Sequence, residues 1–98
     1  IVRFPSHFEA GRSCSTATSL VDVFPTLLGA AGIPAKGIEL DGTDLATVAA
    51  GGISEGRIVY SQFAEKNEAI YMAVNKYWKY VYSAGDNCEF FFDRQRDS

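Results

Sequence analysis

Ser19-Leu-Val-Asp-Val-Phe-Pro-Thr-Leu-Leu-Gly-Ala-Ala-Gly-Ile-Pro34 reads as one helix with a start, an apolar face and a stop. Ser19 precedes Asp22 at the spacing of a capping box, and either residue can serve as the N-cap. Pro25 then falls in or near the first turn, where a missing N–H costs little. Deeper in the helix it would cost about 3 kcal/mol, which places the start late. Leu20, Phe24, Leu27, Leu28 and Ala31 recur at helical spacing and predict a single buried face. Gly32 suits the left-handed residue that closes a helix, Ile33 its apolar partner, and Pro34 forbids continuation. The predicted helix therefore covers about residues 19–31.

Working outward, Ile1 to Phe4 is an apolar remnant ended by Pro5, with the look of the tail of a buried strand. Residues 6–18 are polar and read as loop. Past the helix, residues 35–42 form a second loop, in which Asp41-Gly42 is a turn signal. Thr43 or Asp44 can cap a short helix carrying Leu45, Val48 and Ala49, which Gly51-Gly52 ends. The chain then changes character. Residues 57–63, 70–74, 77–82 and 88–92 are β-branched and aromatic, with turns at Asn75-Lys76 and 84–87, the pattern of an antiparallel meander. Ten of the thirteen aromatic residues lie in this half, so the fold class expected is α+β. One domain is expected over 1–98, with helix and loop in 1–56 and a small sheet in 57–98. On strand 70–74, Ile70, Met72 and Val74 share one parity and are the expected buried face, packed on the helix.

The chain has 98 residues, 47% hydrophobic and 21% charged, the composition of an ordinary globular domain. A formal net charge of −3 argues against a nucleic-acid footprint. No apolar run approaches the roughly 18 residues of a membrane span. The first residue is Ile1 within an apolar run, which is expected of a piece of a longer protein. Cys14 and Cys88 are too few for a disulfide framework. They read as two unrelated thiols or as one bridge, the latter implying an oxidising compartment.

The order of these motifs resembles the C-terminal part of the sulfatase family, in the alkaline-phosphatase-like superfamily. That family's pattern has a strand ending in Arg-x-Pro, a helix like SLVDIFPTLLDLAGI, then LDGxSL. A strand near R-x-V-Y-S-E, a hairpin ending in Y-K-Y and a strand like E-L-Y-D-L-x-x-D-P follow. Here they stand as Val2-Arg3-Phe4-Pro5, Ser19 to Pro34, Leu40-Asp41-Gly42-Thr43-Asp44-Leu45, Arg57-Ile58-Val59-Tyr60-Ser61-Gln62, Tyr77-Trp78-Lys79-Tyr80 and Glu89 to Asp97. Phe91 replaces the usual Tyr and Gln62 the usual Glu. The resemblance implies a parent enzyme that hydrolyses sulfate esters. Its nucleophile would be a formylglycine made from a Cys/Ser-x-Pro-x-Arg motif, and its metal calcium held by Asp and Asn. None of those residues maps onto this chain. Catalytic and metal residues expected within the chain are therefore none, and substrate-binding residues are unassigned.

Each tempting residue has a plainer reading. Cys14-Ser15-Thr16-Ala17-Thr18 lacks the Pro and Arg of the formylglycine motif, so Cys14 reads as a loop thiol. His7 stands alone without a triad spacing and reads as a loop histidine; the sharper reading puts its loop on the parent's active-site rim. Asp41 and Asp44 lack the further oxygen ligands calcium needs and read as turn and cap. Asp22 has no paired carboxylate and reads as a cap. Lys66-Asn67-Glu68 reads as a solvated turn, or as a tip over a substrate cleft. Trp78, Tyr80 and Tyr82 read as sheet packing, or as rings on which a sugar stacks.

The function expected is thus a non-catalytic C-terminal segment of a sulfatase, supporting the main sheet and shaping substrate access. The expected partner is the rest of that chain, and a periplasmic or extracellular parent fits this reading. One alternative is a segment of a related phosphodiesterase or phosphoglycerol or phosphoethanolamine transferase. A stand-alone binding or interaction module is the other. Self-association is expected too, from strand exchange through the orphaned strand Ile1 to Phe4 and from an apolar helix face left partly bare.

Overall fold

The structure, a computed structural model, describes residues 1–53 and 56–97. The chain divides between residues 54 and 55 into two compact units. It is an α+β chain, with short helices in the first unit and a four-stranded antiparallel sheet in the second. No described helix is long and apolar enough to cross a membrane.

The first unit is built on helix α1 (Val23–Ala30), entered through a 3₁₀ turn at Leu20–Asp22. Pro25 is therefore the third residue of α1, inside its first turn. The exit is a Schellman motif. Ile33 N–H donates to the Leu28 carbonyl (3.0 Å), Gly32 N–H to the Gly29 carbonyl (3.1 Å), and Gly32 takes φ +67°. Helix α2 (Leu45–Ala49) starts at Asp44, whose Oδ1 accepts from the Ala46 N–H at 2.8 Å, and ends toward Gly51 at φ +79°.

Which face of α1 is covered differs from expectation. Leu20, Phe24 and Leu27 are 89%, 53% and 61% exposed. Asp22 is fully buried and Pro25 is buried. In this segment Asp22 and Pro25 are the buried positions, and Thr26, Leu28, Gly29 and Ala30 are half-buried. Ile1 to Phe4 is not a strand. It runs irregularly, with Ile1, Val2 and Phe4 exposed, and the Phe4 carbonyl accepts from the N–H groups of His7 and Phe8 at 2.9 Å each.

The second unit is a meander of β1 (Val59–Phe63), β2 (Ile70–Val74), β3 (Trp78–Ser83) and β4 (Cys88–Asp93), in spatial order β1-β2-β3-β4. Val59 opposes Val74, Val74 opposes Lys79, and Lys79 opposes Phe92. The tight turn between β2 and β3 depends on Asn75, itself buried. Its Oδ1 accepts from the N–H groups of Tyr77 and Trp78, both at 2.8 Å, and its own N–H donates to the Trp78 carbonyl at 3.0 Å. Arg94 donates from Nη1 to the Asn75 carbonyl, tying β4 to the same turn. The expected burial of Ile70, Met72 and Val74 is not met: Ile70 is exposed and the other two are half-buried. Their neighbours Tyr71 and Ala73 are no better covered, so neither side of β2 is a core. Buried apolar residues among those described are small or few: Ala17, Val48, Val59 and Ala69.

Candidate functional site

Two features of the first unit concentrate its polar side chains. One is a clasp at the start of α1. The buried Asp22 carboxylate accepts from the Ser19 N–H through Oδ2 (2.7 Å) and from the Thr43 N–H through Oδ1 (2.9 Å). The Thr26 hydroxyl donates to the Asp22 carbonyl (2.6 Å) and accepts from the Leu45 N–H (2.9 Å). Pro25 has no N–H to offer the Val21 carbonyl four residues before it. The backbone of Gly42 packs so closely there that a β-carbon at position 42 would overlap that carbonyl. The carboxylate of Asp44 likewise occupies the space a side chain at Gly29 would need. The helix motif and the Leu-Asp-Gly loop are thus one hydrogen-bonded unit.

The other feature is a cavity of about 420 Å³, walled by His7, Arg12, Cys14 and Thr16 on the loop side and by Leu45 and Val48 of α2. Its groups are committed locally. His7 Nε2–H donates to the Gly29 carbonyl (3.3 Å), and Nδ1 is hydrogen-bonded with the Ser6 hydroxyl (3.2 Å). The ring also lies 4.6 Å from Phe4, centroid to centroid. Arg12 Nε pairs with Glu9 at 3.2 Å. The Cys14 thiol sits 3.8 Å from the Val48 carbonyl. The imidazole therefore works as a strut between the loop and α1.

In the second unit, register puts Tyr60, Tyr71, Trp78, Tyr80, Tyr82 and Phe91 on one face of the sheet. The rings pair with each other: Tyr71 with Tyr82 (6.5 Å, 13°) and Trp78 with Phe91 (6.1 Å, 24°). Their hydroxyls also turn to the sheet itself. Tyr80 donates to Glu89 Oε1 (2.9 Å) and Tyr82 to Asn87 Oδ1 (3.2 Å). The hydrogen bond to Glu89, loss of solvent and the Glu89 charge, in that order, raise the Tyr80 phenol above its ordinary value. Lys66–Glu68 forms an exposed 3₁₀ turn between β1 and β2, with Lys66 at φ +55°.

The sequence-predicted residues thus fall in separate places. Asp22 and Asp44 are caps, as read, and meet at the clasp. His7 and Cys14 meet at the cavity, whereas Trp78, Tyr80 and Tyr82 belong to the sheet. Cys14 and Cys88 each carry a thiol. The reading missed Thr26, Gly29 and Asn75. The Asn75-Lys76 turn signal pointed to the last; Thr26 and Gly29 had no distinguishing signal beyond their spacing from Asp22. Among the described residues, no group of three or more His, Cys, Asp or Glu side chains comes together as a metal site.

No protein-family model and no curated protein sequence matches the chain. A solved structure does: a "putative sulfatase" from Bacteroides thetaiotaomicron VPI-5482, similar at 27% identity over 78% of this chain, with a TM-score of 0.59. The match spans 18% of that larger chain.

Proposed function

We propose that this chain is the C-terminal supporting segment of a sulfuric ester hydrolase of the alkaline-phosphatase-like kind. The likeness to a sulfatase structure, over most of this chain and a small part of the other, carries the reading. Two features of the molecule support it. The clasp ties together the two motifs on which the sequence resemblance rests, Ser19 to Pro34 and Leu40 to Leu45. Val23, Phe24 and Leu27 of α1 are exposed, as they would be on an element that supports a larger body. On this reading the first unit buttresses the main sheet of the parent, and the Lys66–Glu68 turn borders substrate access. Formylglycine and calcium would belong to the parent's catalytic portion. The chain itself would bind no metal and turn over no ester.

Reading the coding sequence upstream of the Ile1 codon tests this. A continuous frame with a Cys/Ser-x-Pro-x-Arg motif is expected. A bare Thr or Ser nucleophile with two metal sites would replace sulfate by phosphate as the substrate class. Metal-dependent hydrolysis of 4-nitrophenyl sulfate by the 98-residue chain alone would overturn the supporting role.

A further inference from the structure

Strand β4 is an edge of the sheet, and its open backbone groups can be assigned residue by residue. The Arg94 N–H donates to the Tyr77 carbonyl at 2.9 Å, one step beyond the Trp78–Asp93 pair. Antiparallel neighbours alternate between hydrogen-bonded and non-hydrogen-bonded pairs. Phe92, Phe90 and Cys88 therefore turn their N–H and C=O groups toward β3, and Glu89, Phe91 and Asp93 turn theirs outward. The Asn75–Trp78 bond fixes the same parity independently, because it commits Trp78, Tyr80 and Tyr82 to β2. Asp93 is already satisfied: its N–H donates to Asp97 Oδ2 (3.2 Å), and its carbonyl accepts from Arg96 and Asp97 (3.1 and 2.8 Å). The open groups of the strand are those of Glu89 and Phe91. Residues 88–93 contain no Pro and no Lys, and Phe90, Phe91 and Phe92 are 49%, 68% and 37% exposed.

We propose that this edge pairs antiparallel with the same edge of a second copy of the chain, about a two-fold axis between the two Phe90 residues. The open pattern is its own complement. In that register Glu89 faces Phe91 of the second copy and Phe91 faces Glu89, each pair exchanging both hydrogen bonds, with no open group of either residue left over. Phe90 meets Phe90 in a non-hydrogen-bonded pair, where opposing side chains are closest and an aromatic pair is favourable. The neighbouring symmetric register, centred on Phe91, is disfavoured. It sets Glu89 against Asp93, two like charges, and against backbone groups that are already bonded.

Cysteine crosslinking in a Cys14→Ser, Cys88→Ser background tests both the partner and the register. Phe90→Cys is expected to give a disulfide-linked dimer on oxidation, and Phe91→Cys is not. Sedimentation of the unmodified chain should show a monomer–dimer equilibrium. Phe90→Lys, which opposes two lysines at a half-exposed site, should raise its dissociation constant by at least about tenfold with the far-UV spectrum unchanged. A strict monomer at every concentration would overturn the proposal. So would crosslinking through Phe91→Cys instead, or an open series of higher oligomers, the signature of β4 pairing head-to-tail with β1.

Discussion

The Asp22 carboxylate accepts a hydrogen bond from the Thr43 N–H at 2.9 Å, across 21 positions of sequence. Asp22 has no exposed surface, and its other oxygen holds the Ser19 N–H. One side chain thus joins the start of α1 to the loop before α2. Asp22→Asn presents an NH₂ group to one of two N–H donors and leaves that donor unsatisfied. A loss of about 1–3 kcal/mol is expected, read as a lower urea midpoint with an unchanged slope. Asp22→Ala loses both acceptors and should cost more than Asn.

Gly29 and Gly42 both accommodate close neighbours, and their alanine variants should differ. At Gly42 the obstacle is the Val21 backbone, which cannot swing aside. Gly42→Ala should destabilise by about 1–3 kcal/mol, the usual cost of overpacking. At Gly29 the obstacle is the Asp44 side chain. Alanine gains about 1 kcal/mol of helix propensity but displaces the α2 cap, worth about 0.5–2 kcal/mol. The net change should stay within about 1 kcal/mol of zero. In an Asp44→Ala background only the gain remains, so Gly29→Ala should there stabilise. A double-mutant cycle by thermal or urea unfolding measures the difference.

These residues also mark where the sequence is legible. The Schellman exit was readable because Gly32, Ile33 and Pro34 are local signals for local geometry. The strands were readable because alternation and turn residues lie within each hairpin. At the start of the helix, side-chain size points to Leu20, Phe24 and Leu27, whereas full burial goes to the hydrogen-bonded Asp22 and to Pro25. Asp22 has a backbone partner beyond the reach of any periodic pattern, and an apolar stripe gives no hint of it. Ile1 to Phe4 has strand composition, but a strand needs a neighbour to take its N–H and C=O groups, and the described residues provide none. The contacts that hold His7, to Ser6 and Gly29, depend on folding and had no sequence signal at Gly29.

Asn75 is the corresponding device in the sheet. Its side-chain oxygen satisfies two backbone donors at 2.8 Å each. Asn75→Ala leaves the Tyr77 and Trp78 N–H groups without that acceptor and should cost about 1–3 kcal/mol. Asn75→Asp keeps an acceptor in place and should cost less. Hydrogen exchange separates this from a general loss of stability: the Tyr77 and Trp78 amides should lose protection first in the Ala variant.

The Tyr80–Glu89 hydrogen bond supplies a pH-dependent test. It favours the neutral phenol, so the folded-state pKa lies above the ordinary 10.0. An acid with a raised folded pKa contributes stability that is fully present below its unfolded value. That contribution is lost as pH rises through the folded value. The window therefore opens near pH 10 and extends upward. Glu89→Gln removes the carboxylate charge and weakens the acceptor, and should bring Tyr80 back toward its ordinary range. Ultraviolet titration of the tyrosines, with Tyr80→Phe identifying the late-titrating ring, reads the shift directly. If the late component survives Glu89→Gln unchanged, the bond to Glu89 is not its cause.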